Sequence, residues 1–177
     1  MAFQTAVKTD LRNEILRTLR QDIVFQCSPN DQNAPISASA IILQKTDAQI
    51  NREDVISNQL TDLPGLLLCS PRKMEVPSNS GLNNKDTWIY NWMIQLIDAD
   101  LWSNTDRLDS WERWIEQIIS AFNFNQMNSV IPLTKGDVLC SFASGVHDVD
   151  QSMWVRDGKF VSGVHIEVQV LQKRGIV

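Results

Sequence analysis

The residues of this chain that could do chemistry are its two histidines and the carboxylates beside them. His147 is followed directly by Asp148 and then, after one residue, by Asp150, and these three side chains could bind a divalent metal. A stable site would need another His or Cys close by in the sequence, and there is none. We therefore predict a solvated loop at these residues, and a small metal-dependent hydrolase is the alternative.

The second histidine, His165, alternates with Glu167 on the polar face of a predicted strand. This pattern predicts a paired surface histidine, because a catalytic dyad would also need a marked nucleophile. Residues 141–145 read Ser-Phe-Ala-Ser-Gly, which does not match the Gly-x-Ser-x-Gly nucleophile motif. The chain also has no phosphate-binding loop and no dinucleotide-binding motif.

The remaining candidates are two acids, Asp98 and Asp100, at the end of a long alternating strand. Paired carboxylates can act as general acid and base. At a junction between a strand and a helix, however, we expect them to be solvated and to favour the helix start. Other polar residues are interpreted as turn formers or solvated charges: Gly81, Asn83, Asn84 and Lys85. The sequence thus predicts no catalytic, cofactor-binding or metal-binding residue and a protein that is not an enzyme.

Composition narrows the class of protein further. A chain of 177 residues is predicted to form one domain over residues 1–177 with a sizeable core. Its net charge of -5 argues against binding to nucleic-acid phosphates. The odd number of cysteines, Cys27, Cys69 and Cys140, favours buried thiols over disulfides or zinc. Since no signal peptide or membrane-spanning run is visible, we expect a soluble protein made in the cytosol.

The strongest structural signal is an amphipathic helix from Leu108 to Phe122. Its apolar residues recur every three or four positions and share one side: Leu108, Trp111, Trp114, Ile115, Ile118, Ile119 and Phe122. The other side carries Asp109, Glu112, Arg113 and Glu116. The expected partner is the strand Trp88–Ile97, whose alternate residues form one apolar face: Trp88, Tyr90, Trp92, Ile94 and Leu96.

The rest of the chain predicts further elements of an α+β fold. A helix is predicted over residues 6–23, followed by a turn at 28–31. Strands are predicted over residues 36–44, 66–69, 137–142, 159–161 and 164–170, with loops at 45–62, 70–86 and 143–151. Asp157-Gly158 predicts a hairpin turn. We expect a single mixed or antiparallel sheet with two main helices packed on one face.

The order of these elements resembles that of the tail-terminator proteins of long-tailed bacteriophages, the minor tail protein U-like group. The stretches that carry the resemblance are the helix Val7–Ile23, Leu63-Pro64-Gly65-Leu66-Leu67-Leu68, the strand Trp88–Ile97, the helix Leu108–Phe122 and the strand Val164–Val170. Residues 45–62 and 143–160 make this chain longer than that group. A head-completion protein or tube protein of the same particle is therefore the alternative.

The resemblance implies a structural virion protein at the head–tail connection, in the tail or neck, assembled in the host cytoplasm. Its copies would form a hexameric ring that caps the tail tube and contacts the head-completion or connector protein. DNA would pass through the lumen without specific binding, and neither a cofactor nor a membrane is implied. We expect the loop 70–86, the hairpin at Asp157-Gly158 and the small residues Ser37–Ala40 to make subunit or tube contacts.

Overall fold

The computed structural model describes residues 6–44, 62–69, 74–75, 85–99, 105–123, 136–146 and 159–173. The main helices are α1 (Val7–Arg17), which continues as a π-helical turn (Thr18–Asp22), and α2 (Thr105–Phe122). The strands are β1 (Ile41–Leu43), β2 (Gly65–Cys69), β3 (Met74–Glu75), β4 (Lys85–Ala99), β5 (Gly136–Val146) and β6 (Lys159–Lys173).

These strands form one sheet in the order β1-β2-β4-β6-β5, and the short β3 also pairs with β4. β1 runs parallel to β2, whereas every other pair is antiparallel, so the sheet is mixed. β4 and β6 pair over their whole length of 15 residues and form the centre of the sheet. The α+β fold predicted from the sequence is confirmed.

The core lies between the two helices and one face of this sheet. Strand alternation places every second residue of β4 and β6 on that face, and these are buried: Tyr90, Trp92, Ile94, Leu96, Val164, Ile166, Val168 and Val170. Leu11, Ile15 and Leu19 of the first helical segment join the same apolar cluster, as do Trp111, Trp114 and Ile118 of α2. The alternating hydrophobicity of both long strands therefore reflects a sheet covered by helices on this face.

Helix α2 begins at Thr105 and buries Trp111, Trp114, Ile115, Ile118 and Phe122 as expected. Leu108, however, is 39% exposed, so its predicted place on the buried side is wrong. Arg107 is buried in its stead, because it lies one helical turn before Trp111 on the inward side. The backbone of α2 lies nearest β5 and β6, and its side chains reach β4 through the shared core.

Several predicted strand and loop boundaries differ from the structure. Within the strand predicted at 36–44, only Ile41–Leu43 pair as a strand, because Ala38–Ala40 form a 3-10 turn that the Ser37 side chain caps. β3 interrupts the loop predicted at 70–86, and β4 already begins at Lys85. Residues 143–146, predicted as the start of a loop, belong instead to β5, which remains paired with β6 as far as Val146.

Two further differences concern the last strands. The runs 159–161 and 164–170 are parts of one continuous strand, β6. β5 carries a bulge, since Val138 pairs with Val170 but Cys140 pairs with Gln169, so the common face predicted for residues 138, 140 and 142 is interrupted. The predictions at Asp100, His147, Asp148, Asp150 and Asp157-Gly158, and for the loop at 45–61, lie outside the described residues. No described helix is both long and apolar enough to cross a membrane.

Candidate assembly surface

The described residues that were candidates for chemistry are engaged in structural contacts. His165 is partly buried and pairs in register with Met93, while Glu167 accepts a hydrogen bond from the Gln169 amide at 2.9 Å. The Ser141 hydroxyl is buried and donates to the Phe122 carbonyl oxygen at 2.6 Å, which ties β5 to the end of α2. Within the described ranges, no three His, Cys, Asp or Glu residues are grouped to hold a metal ion.

Asp98, predicted to be solvated, is instead buried and forms an ion pair. Its carboxylate accepts a hydrogen bond from Arg107 Nε at 2.7 Å, and Arg107 Nη1 donates to Asp31 Oδ2 at 3.1 Å. The Ser110 hydroxyl donates to the same Asp31 oxygen at 2.6 Å. We call Asp31, Asp98, Arg107 and Ser110 the Arg107 network. It joins the end of β4, the first turns of α2 and the turn after α1.

In the Arg107 network, each buried charge is paired with an opposite charge and with hydrogen bonds. Burial opposes ionisation of Asp31, but hydrogen bonds from Ser110, Asn33 and Arg107 outweigh it and hold the pKa of this carboxyl well below its usual value. Burial likewise opposes the charge on Arg107, yet the hydrogen bonds to Asp98 and Asp31 raise its pKa. Asp31 and Arg107 therefore stay charged, which suits a structural ion pair and not a proton-transfer site.

Residues 23–37, between the first helical segment and β1, run along α2 and are held there by hydrogen bonds to side chains of that helix. We call this segment the strap. The Ser28 backbone N–H donates to Ser110 Oγ, and the indole N–H of Trp114 donates to the Gln26 carbonyl at 3.0 Å. The Gln117 amide, two helical turns after Ser110, donates to the Val24 carbonyl at 3.1 Å. Irregular backbone that lacks a ladder thus obtains its hydrogen bonds from α2 side chains.

Cys27 of the strap lies within this cluster, and its thiol is placed 3.8 Å from Arg107 Nη1. Burial and the neighbouring charge of Asp31 raise the pKa of the Cys27 thiol, so the reactive thiolate is disfavoured. The expected buried thiols are thus half-buried at Cys27 and Cys69, neither of which is in a disulfide. The side chain of Cys140 lies outside the described part of the chain.

Sequence reasoning missed the Arg107 network, although two signals pointed to it. Arg107 precedes Trp111 by four residues and Trp114 by seven, so it belongs to the inward side of α2. Asp98 has the same parity in β4 as Trp92 and Ile94, which places it on the covered face. Charged residues at inward positions predict a buried ion pair once the helix and strand are known to pack together. Asp31 gave no such signal, because it lies in a turn.

The two edges of the sheet are the remaining candidates for function, and β1 is the smaller. β1 has three residues, and its outer side is partly occupied, because Arg20 donates to the Ile41 carbonyl from Nε at 3.0 Å and from Nη2 at 2.6 Å. The neighbouring residues Ser37–Ala40, expected to accept another strand, form a 3-10 turn instead. This edge offers little backbone to a partner.

The opposite edge, β5, is long and carries few of the charges and prolines that usually protect an edge strand. It has 11 residues and pairs with β6 on one side, while no described strand pairs with its outer side. From Val138 to Val146 its sequence contains neither a charged residue nor a proline. An edge of this kind presents unpaired N–H and C=O groups that can hydrogen-bond a further strand. The bulge at Leu139 is its one irregularity.

The second face of the sheet, away from the helices, is mixed in character. Asn91, Met93 and Gln95 of β4 alternate with the core residues and are partly buried, and His165 and Glu167 of β6 lie beside them in register. A small apolar cluster, Leu67 and Ile97 with Ile42, Leu63 and Val161, covers one end. We take the β5 edge as the candidate assembly surface, because it is long and no strand in the described ranges pairs with its outer side.

Comparison with known proteins adds no relative to this description. No family model matches the chain, and no curated protein matches it.

Proposed function

We propose that this protein is a structural subunit of the head–tail junction of a long-tailed bacteriophage, and specifically a tail terminator. In this role, copies of the chain form a ring on the end of the tail tube. The proposal takes its biological setting from the resemblance in element order. It takes its physical basis from the β5 edge, which is 11 residues long and unpaired on its outer side within the described chain.

The β5 edge supports assembly because a strand from a neighbour can continue the hydrogen-bond ladder there. Backbone hydrogen bonds give such a contact affinity without any deep pocket. Each bond contributes only about 1 kcal/mol, so an edge of this length provides a reversible contact that several neighbours reinforce. A ring built from repeated contacts between one edge and its neighbour is a closed heterologous assembly.

The mechanism is binding alone. A completed ring occupies the end of the tube and prevents addition of further tube protein, and its outer surface remains for the head connector. The Arg107 network and the apolar core fasten the sheet to α2, and the edge needs no chemical step to bind a neighbour. The net charge of -5 supports passage of DNA through the lumen, because acidic walls repel phosphate groups.

The proposal is tested in the particle that encodes this chain. Loss of the gene should give tubes of uncontrolled length that fail to join heads, and antibody labelling should place the protein at the head end of the tail. Purified protein mixed with tail tubes should bind one end only. Tails of normal length without the protein, or labelling along the whole tube, would rule out a terminator.

A further inference from the structure

At the second edge of the sheet, the Arg20 side chain occupies an outward backbone carbonyl of β1, and this contact has a consequence for assembly. We infer that Arg20 blocks the β1 edge against a second copy of this chain, so that sheets cannot join β1 to β5 in an open-ended series. The inference rests on the proposed function in one respect, namely that β5 accepts a second copy.

The backbone of β1 shows which groups Arg20 covers. The Gln44 N–H donates to the Leu68 carbonyl of β2 at 2.9 Å, so Gln44 directs its backbone groups toward the sheet. Because backbone directions alternate along a strand, the N–H and C=O groups of Ile42 point toward β2, whereas those of Ile41 and Leu43 point away from the sheet. The Ile41 carbonyl is therefore an outward acceptor, and both guanidinium contacts, at 3.0 and 2.6 Å, end on it.

The end of the first helix directs Arg20 to this position. Residues Thr18–Asp22 form a π-helical turn, closed by a hydrogen bond from the Ile23 N–H to the Thr18 carbonyl at 3.1 Å. This turn lies next to the 3-10 turn that precedes β1. The wider π-helical winding changes the direction of the side chains that follow α1, while Thr18 and Leu19 remain buried.

Closure of one edge matters because a chain with two open edges can polymerise without limit. A contact between two different surfaces rotates each copy relative to the previous one. If these rotations add up to a full circle, the copies form a closed ring, and otherwise they form a filament. Because β1 has only three residues and the outward carbonyl of Ile41 is occupied, direct pairing of β1 with the β5 edge of another copy is opposed. Contacts through β5 must then use other parts of the neighbour, whose geometry can close the ring.

Removal of the Arg20 side chain tests this inference on the full chain. We expect Arg20→Ala and Arg20→Met to raise the apparent association constant about tenfold, since each frees one backbone acceptor that a second copy can bond. Sedimentation velocity over a concentration series measures the change, and the species should grow without a fixed size. Arg20→Met keeps the apolar stem of the side chain, so it serves if the alanine variant is unstable.

Two further variants identify the surface responsible. Arg12→Ala, on the same helix, removes an arginine whose described side-chain contacts are to the neighbouring Asn13, and it should sediment as the parent does. Adding Ser144→Lys to Arg20→Ala should abolish the new association, because a lysine on the β5 edge opposes strand addition. Folded Arg20 variants that sediment like the parent would overturn the inference, and so would association that persists in the double variant.

The outcome is separable from that of the proposed function. Failure of the Arg20 variants to associate would remove the role of Arg20 and leave a β5-mediated ring untouched. Conversely, tails of normal length from a phage that carries Ser144→Lys would defeat the proposed use of β5 in the ring, whatever Arg20 does.

Discussion

The Arg107 network and the β5 edge differ in how completely their polar groups are paired. Arg107 donates to Asp98 and Asp31 at 2.7 and 3.1 Å, and Ser110 completes the coordination of Asp31. Along β5, by contrast, the outer row of backbone groups has no partner strand in the described chain. The network has the charged residues expected of an active site and the edge has almost none, yet the edge is the surface that we propose for binding another chain.

This difference indicates that charge and burial alone do not identify a functional site. Buried ions must be compensated, and a cluster with every group satisfied has no capacity left for a ligand. An uncharged strand with free hydrogen-bonding groups can bind another chain. Substitutions in the network should therefore reduce stability, whereas substitutions on the edge should reduce assembly and leave stability unchanged.

The largest expected effect is that of Trp114→Ala. Trp114 is fully buried, donates to the Gln26 carbonyl at 3.0 Å and lies beneath Arg107, whose guanidinium carbon is 4.8 Å from the ring centroid. The substitution should lower the free energy of unfolding by about 3–5 kcal/mol, because it leaves a large cavity. Urea denaturation followed by circular dichroism measures the loss, and Trp111→Ala should behave similarly.

Leu108→Ala is the matched control on the same helix, since Leu108 is 39% exposed and should cost less than about 1 kcal/mol. If Trp114→Ala remained as stable as the parent and yet failed to assemble, α2 would itself be an interface. The contrast between a structural helix and a functional edge would then be wrong.

The next largest effect is expected from Arg107→Met. The methionine fills much of the same space but leaves Asp31 and Asp98 buried without a counter-ion, which should cost about 3 kcal/mol. Arg113→Met makes the same change of charge at an exposed position whose described contact is to the Gln26 side chain. We expect it to cost less than about 0.5 kcal/mol. Equal losses in the two variants would show that the network contributes nothing specific.

A smaller effect should appear in the pH dependence of stability. The pKa of Asp31 is lower in the folded protein than in the unfolded chain, so the unfolded state takes up the proton first as the pH falls. The stabilisation is complete above the unfolded value of about 4 and is lost progressively below it. Urea midpoints between pH 6 and pH 2 should therefore fall, and less steeply in Asp31→Asn.

Asp109→Asn, at an exposed position of α2, controls for the loss of one carboxylate. A slope that is unchanged in Asp31→Asn but reduced in Asp109→Asn would contradict the assignment of the acid sensitivity to the network.

Much of the fold could be predicted from the sequence because the period of hydrophobicity is unambiguous where one face is buried. The steps of three and four in α2 and the alternation in β4 and β6 predicted elements that the structure contains. Prediction was wrong where local chemistry competes with the pattern. The Ser37 hydroxyl accepts a hydrogen bond from the Ala40 backbone N–H and so caps a 3-10 turn, and the bulge at Leu139 changes which β5 residues share a face.

The candidate site could not be predicted in the same way. An edge strand is defined by which strands are its neighbours, and the order β1-β2-β4-β6-β5 is a property of the whole sheet that no local segment encodes. The contact between Arg20 and Ile41 joins residues that are 21 positions apart, and only the fold brings them together. The segments that were expected to make contacts, the central part of 70–86 and the Asp157-Gly158 hairpin, lie outside the described residues.

The central claim is that β5 is an assembly surface and not a structural necessity, and one pair of variants tests it most directly. Ser144 on β5 and Ser120 on α2 are both exposed, so Ser144→Lys and Ser120→Lys should each change the unfolding free energy by less than about 0.5 kcal/mol. Binding to tail tubes is then measured by electron microscopy and co-sedimentation. We predict that Ser144→Lys abolishes end binding while Ser120→Lys binds like the parent. Full binding by a folded Ser144→Lys protein would contradict the claim.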